Sequence, residues 1–86
     1  MPRISEFYGI FIYMYFQDHG PAHFHAIYGE AEAQVEIESG RIRRGWLPPS
    51  AQRLVLDWLR LHRIELLDDW RRAQAGLPLN PIPPLE

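Results

Sequence analysis

The chain has 86 residues, no cysteine and a formal net charge of −2 at a sequence pI of about 6.0. That length leaves room for one domain with a modest core. The missing cysteines exclude disulfides and thiolate metal ligands, and the acidic balance gives no bulk attraction to nucleic acid. Hydrophobic residues make up 47% of the chain, with three Trp, four Tyr and four Phe, so it can fold. All nine basic residues are Arg, the side chain suited to bidentate contact with phosphate or carboxylate. The N-terminus has no basic region followed by an apolar run, and no apolar stretch approaches the roughly 20 residues of a membrane span. A reducing, cytoplasmic setting is the expectation.

Taken in order, Met1 to Glu6 reads as a lead-in. Tyr8–Phe16 is uncharged, aromatic and β-branched, which predicts a strand with Tyr13 and Tyr15 on one face. Gln17–Ala22 is a polar loop punctuated by Gly20-Pro21. His23–Tyr28 is a second strand, closed by a Gly29-Glu30 turn that favours type II′. Ala31–Glu38 alternates cleanly: Ala31, Ala33, Val35 and Ile37 face one way, while Glu32, Gln34, Glu36 and Glu38 face the other. Ser39-Gly40 reads as a second tight turn, and Arg41–Gly45 as a short fourth strand.

These turns imply a register. Phe24 pairs with Val35, His25 with Gln34 and His23 with Glu36. The second turn then pairs Glu38 with Arg41 and Glu36 with Arg43. A polar row His23–Glu36–Arg43 would cross the face away from the core. A one-residue slip would turn both histidines inward.

A helix is predicted from about Ser50 to Ala75, opened by Pro49 and closed by Gly76. Ala51, Val55, Trp58, His62, Leu66 and Ala73 line its main stripe, and Leu56, Leu59 and Leu67 a second one, for the sheet or a partner. Such a helix outruns a short meander, so one end must project or bend. His62 reads as a buried histidine bonded to backbone or Glu65. Residues 77–86 carry four prolines and form an extended tail, able to lie on the domain through Leu79, Ile82 and Leu85. The expected architecture is α+β: an antiparallel sheet of about four strands on one long C-terminal helix. It spans residues 1–86 as one domain, globular over 1–76 with the tail at 77–86.

The chemistry concentrates between Gln17 and Ala26, where His19, His23 and His25 fall within seven residues. Two chemistries fit. In the first, His23 and His25 ligate a divalent, zinc-like metal with Asp18 or His19 as third ligand. In the second, metal-free, His23 and His25 act as general base and acid on a phosphodiester. There Arg43 stabilises charge, Glu36 orients His23, and Tyr13 or Tyr15 stacks a base. A structural alternative pairs the histidines with Glu36 and Gln34 on a solvated face.

The motifs resemble the DUF4160 family of small prokaryotic proteins. The likeness runs through Met1-Pro2-Arg3-Ile4-Ser5, Met14-Tyr15-Phe16, Asp18-His19, Pro21, His23-Phe24-His25-Ala26, Gly40, Ile42, Gly45, Leu47-Pro48, Leu54-Val55, Trp58, His62, Glu65-Leu66, Trp70 and Ile82-Pro83-Pro84-Leu85. Ala22 stands where the family often has a second proline. The resemblance implies a partner, a small DUF2442-type protein encoded alongside. It also implies a toxin-like component of a two-gene module acting on RNA. The remaining alternative is a non-catalytic interaction module.

Overall fold

The computed structural model describes residues 2–86. Among them, five strands precede one helix: β1 Arg3–Phe7, β2 Ile10–Tyr13, β3 His23–Tyr28, β4 Ala31–Glu36, β5 Ile42–Gly45 and α1 Pro49–Ala75. The strands form one antiparallel sheet in the order β1-β2-β3-β4-β5. The α+β expectation holds, with one strand more than anticipated.

The extra strand lies in the presumed lead-in. Tyr8 and Gly9 have φ of 51° and 78° and close a hairpin between β1 and β2. Two successive positive φ values mark a type I′ turn, here with tyrosine where glycine or asparagine is usual. The long strand expected at Tyr8–Phe16 is therefore a turn, a four-residue strand and the start of a loop. A register shift between Arg3 and Ser5 breaks the period-2 pattern of β1.

The β3–β4 register is the expected one, with Phe24 opposite Val35, His25 opposite Gln34 and His23 opposite Glu36. Gly29 has φ 59° and carries the turn. The β4–β5 pairing differs from expectation. Gln34 opposes Arg44 and Val35 opposes Ile42, leaving Arg43 as an extra residue in a bulge. β4 ends at Glu36, whose N–H donates to the Arg41 carbonyl at 2.9 Å and whose carbonyl accepts from Gly40 at 2.8 Å. The connection thus takes five residues, 37–41, rather than Ser39-Gly40 alone. Glu36 does not pair with Arg43, and Glu38 does not pair with Arg41.

α1 begins at Pro49, whose missing N–H costs nothing in a first turn. It ends at Gly76, whose φ of 72° places it in the left-handed region. Ala51, Val55, Trp58, Leu59, Leu66 and Ala73 are buried along it. Twenty-seven helical residues would extend about 40 Å if straight, against a longest dimension of 33 Å for the molecule. The helix bends at His62, where φ is −123° and ψ 23°. The bend lets the first half pack Trp58 on Phe24, ring centroids 5.6 Å apart. The second half runs on to the end of the sheet where β3 begins, with Trp70 against His23.

The tail lies on the domain. The Ile82 N–H donates to the Ile4 carbonyl at 2.8 Å, and Trp58 Nε1 donates to the Pro83 carbonyl at 2.9 Å. Ile82 is buried, and Leu79 and Leu85 pack beside it. Its four prolines lack an N–H, so the segment covers the edge strand through single contacts such as Ile82 rather than as a sixth strand.

Candidate functional site

Strand alternation sends Phe24 and Ala26 toward the helix and His23 and His25 to the other face of β3. The sequence suggested that this face is open. Instead His23 and His25 are only 2% and 5% exposed. The loop after β2 folds back over them, and the second half of α1 closes the side. The Gln17 N–H donates to the Ala73 carbonyl at 3.1 Å, and Gln74 Nε2 donates to the Asp18 carbonyl at 2.9 Å. Two contacts to one helical turn thus fix the backbone of Asp18. Trp70 lies 5.3 Å from the His23 ring and Tyr15 4.2 Å from the His25 ring.

The Asp18 carboxylate is aimed by its own turn, since Oδ1 accepts the His19 N–H at 2.9 Å. Oδ2 then sits 3.0 Å from His23 Nε2 and 3.5 Å from His25 Nε2. Burial alone would raise the Asp18 pKa. The His19 N–H, the His25 hydrogen bond and the charge and hydrogen bond of His23 outweigh it, so the group is held below the usual carboxylate range.

Each ring is anchored by its far nitrogen. His23 Nδ1 lies 2.9 Å from the Pro21 carbonyl, and His25 Nδ1 lies 3.3 Å from Glu32 Oε2. A carbonyl and a carboxylate only accept, so these contacts favour the proton on Nδ1 of each ring, while at His23 the Arg43 guanidinium, 3.1 Å from the same nitrogen, competes for it. Both Nε2 atoms are thereby turned toward Asp18. One nitrogen of each ring and one oxygen of Asp18 lie within 4.8 Å of one another. Where Nδ1 carries the only ring proton, the Nε2 lone pairs face the carboxylate oxygen and repel it unless a positive charge sits among them. A proton on Nε2 supplies one, and a metal ion supplies two.

Arg43 reaches the same corner from β5. Its Nη1 is 3.1 Å from His23 Nδ1 and 3.5 Å from the Pro21 carbonyl. Burial first, then the charges of Glu32, Tyr13 and Asp18, push the Tyr15 phenol up, so it stays neutral at physiological pH.

The structure therefore brings together Asp18, His23, His25, Arg43 and Tyr15. Tyr13 lies opposite His25 in the β2–β3 register. His19 contributes its backbone N–H, while the residue itself is exposed. Glu36 stands across from His23, but its carboxylate takes the Ser39 hydroxyl at 2.7 Å, and His23 turns to Asp18 and Pro21 instead. His62 is far along the helix, with Nδ1 2.6 Å from Glu65 Oε1, the structural pairing its position suggested.

Neither Glu32 nor Trp70 was assigned to the site from the sequence, although Trp70 belongs to the family-like motif. Glu32 was findable: it shares the polar face of β4 and sits diagonally from His25, within reach of a long side chain. Trp70 was not, because the bend at His62 changes which face of the later turns meets the sheet.

The family model described as domain of unknown function (DUF4160) matches residues 9–71 of the chain, a span that includes Asp18, His23, His25, Glu32 and Arg43. No curated protein and no solved structure matches.

Proposed function

We propose that this chain, which belongs to the family described as domain of unknown function DUF4160, binds one divalent transition-metal ion between Asp18, His23 and His25 and uses it as a Lewis acid. The observation that carries this reading is the anchoring of both rings. Metal-bound histidines characteristically donate the other N–H to a carbonyl or carboxylate, which fixes tautomer and orientation. Here the Pro21 carbonyl and the Glu32 carboxylate stand at the two Nδ1 atoms, ready to take those protons, and the Nε2 atoms converge with Asp18.

Three protein ligands of N and O type leave a coordination position for water or substrate, as catalytic zinc sites do. Two His and one carboxylate also suit iron, nickel or copper. The Asp18 side chain is 27% exposed, so that position opens to solvent on its side. An ion there would polarise an oxygen of a bound molecule or acidify water.

Zinc titration of untagged protein by calorimetry tests this. The expected result is one ion per chain, with His23→Ala and His25→Ala each weakening binding by more than about a hundredfold, beyond the 10–100-fold typical of an outer partner. Binding that survives both substitutions together overturns the assignment.

A second reading rests on the 3.1 Å approach of Arg43 Nη1 to His23 Nδ1. If Arg43 donates to that nitrogen, His23 carries its proton on Nε2 and gives it to Asp18. The pair is then a metal-free acid–base couple beside a guanidinium. On this reading the chain would be a toxin-like, RNA-cleaving component of a two-gene module with a DUF2442-type partner. Induced expression that arrests growth, with RNA cleavage persisting in chelator, would favour it. Cleavage that survives His23→Ala and His25→Ala would remove it.

A further inference from the structure

We infer that the ligand of this site is a phosphoryl oxyanion, held between the ion and the guanidinium groups of Arg43 and Arg44; the inference rests on the metal reading above. In a regular strand two successive side chains leave by opposite faces. The bulge in β5 breaks that rule. Ile42 opposes Val35 and packs on the core, while Arg44 opposes Gln34. Gln34 in turn opposes His25, so Arg44 continues the row that crosses the histidine face. Arg43, the extra residue, reaches His23 on that same face. A bulge re-aims a side chain at the cost of one ladder position, and such devices gather beside functional sites. Here it delivers two neighbouring arginines to one side.

Neither guanidinium has a carboxylate within 4.0 Å among the described residues, whereas Arg3, Arg60, Arg71 and Arg72 each do. An unpaired surface arginine is ordinary. Arg43 differs in being partly buried against a proposed ligand, with most of its five N–H donors still free. The nearby carboxylates do not answer it. Asp18 is turned to the two histidines, Glu32 to His25 and Glu36 to Ser39. With a divalent ion in place, Asp18 and Glu32 balance its charge, and the two arginines are left over. The missing counter-charge is an anion from solution. A carboxylate has two oxygens and would satisfy the ion and one guanidinium. A phosphoryl group has enough oxygens for the ion and both forks.

The test loads the protein with Co(II) and follows its visible absorption while inorganic phosphate is added, with acetate as the competing anion. Wild type is expected to bind Co(II), and phosphate is expected to shift the spectrum saturably and at lower concentration than acetate. Phosphate affinity, read on Co(II)-saturated protein in each case, should fall at least about tenfold in Arg43→Gln and in Arg44→Gln. Arg43→Lys, which keeps the charge but not the fork, should fall in between and shows that the loss is not one of folding. If Co(II) binds and phosphate affinity is the same in all variants, or acetate binds as tightly, the oxyanion inference fails while the metal site stands. If Co(II) does not bind at all, the metal reading fails and this inference with it.

Discussion

Replacing Trp58 by alanine removes the largest buried side chain of the core. Trp58 is fully buried, with ring centroids 5.3 Å from Phe7 and 5.6 Å from Phe24. Truncating such a ring costs about 3–5 kcal/mol, because lost burial and the residual cavity add. The Nε1–H bond to the Pro83 carbonyl contributes about 0.5–1.5 kcal/mol more. A chain of 86 residues has in all about 4–13 kcal/mol at the usual value per residue. Trp58→Ala therefore removes between about a quarter and the whole of it. Trp58→Phe keeps most of the ring and loses the bond that pins the tail. It should cost about 1–3 kcal/mol, with cleavage after residue 76 accelerated in limited proteolysis. Urea unfolding followed by far-UV circular dichroism measures both. A Trp58→Ala variant destabilised by less than about 1 kcal/mol would refute the packing described, and tail cleavage unchanged in Trp58→Phe would refute the role of Pro83.

Glu32→Gln should weaken metal binding about 10–100-fold with the fold intact, because it removes the carboxylate that holds His25 Nδ1; calorimetry at constant pH reads this, and an unchanged affinity would mean that Glu32 is only a surface charge. Gly45→Ala should destabilise by at least about 1–3 kcal/mol, the usual cost of a forced left-handed residue. Gly45 has φ 81°, and a Cβ there would collide with the Glu32 carbonyl oxygen; a urea midpoint equal to wild type would contradict the β4–β5 pairing. Asp69 is buried with Oδ2 unpartnered, and burial raises its pKa above the usual carboxylate value. Its folded form therefore holds a proton that the unfolded chain releases at lower pH. The stability gained from it is complete below the unfolded value and is lost as pH rises through the folded one. Asp69→Asn does not titrate at that position, so it should gain on wild type as pH rises above the ordinary carboxylate value of about 4; parallel pH curves would show that Asp69 ionises freely.

Much of this architecture was legible because local and tertiary signals agreed. The β3–β4 hairpin carried a Gly-led turn and a clean alternation, and the helix carried Pro49, Gly76 and a stripe centred on Trp58. β1 was hidden because its register shift spoils alternation and because a tyrosine occupies a left-handed turn position. The β4–β5 register was misjudged because Ser39-Gly40 resembles a two-residue turn, while the backbone closes a longer loop and adds a bulge. That error mattered for the site, since it placed Glu36 between His23 and Arg43. Asp18, His23 and His25 were visible as residue types at close spacing. Their burial was not, because it depends on Gln17 and Asp18 meeting the last turn of a helix more than fifty residues away. Glu32 and the Pro21 carbonyl, which orient the two rings, are seen only once the loop is folded over the strand.

Crystals grown with one equivalent of zinc, and measured on both sides of the zinc absorption edge, give the most direct test of the metal centre. The predicted result is a single anomalous peak bonded to His23 Nε2, His25 Nε2 and Asp18 Oδ2 at about 2.0–2.2 Å, with His23 Nδ1 still on the Pro21 carbonyl and His25 Nδ1 still on Glu32. A zinc peak elsewhere in the chain, or an undisturbed hydrogen bond between His23 and Asp18 with no peak beside it, would contradict it.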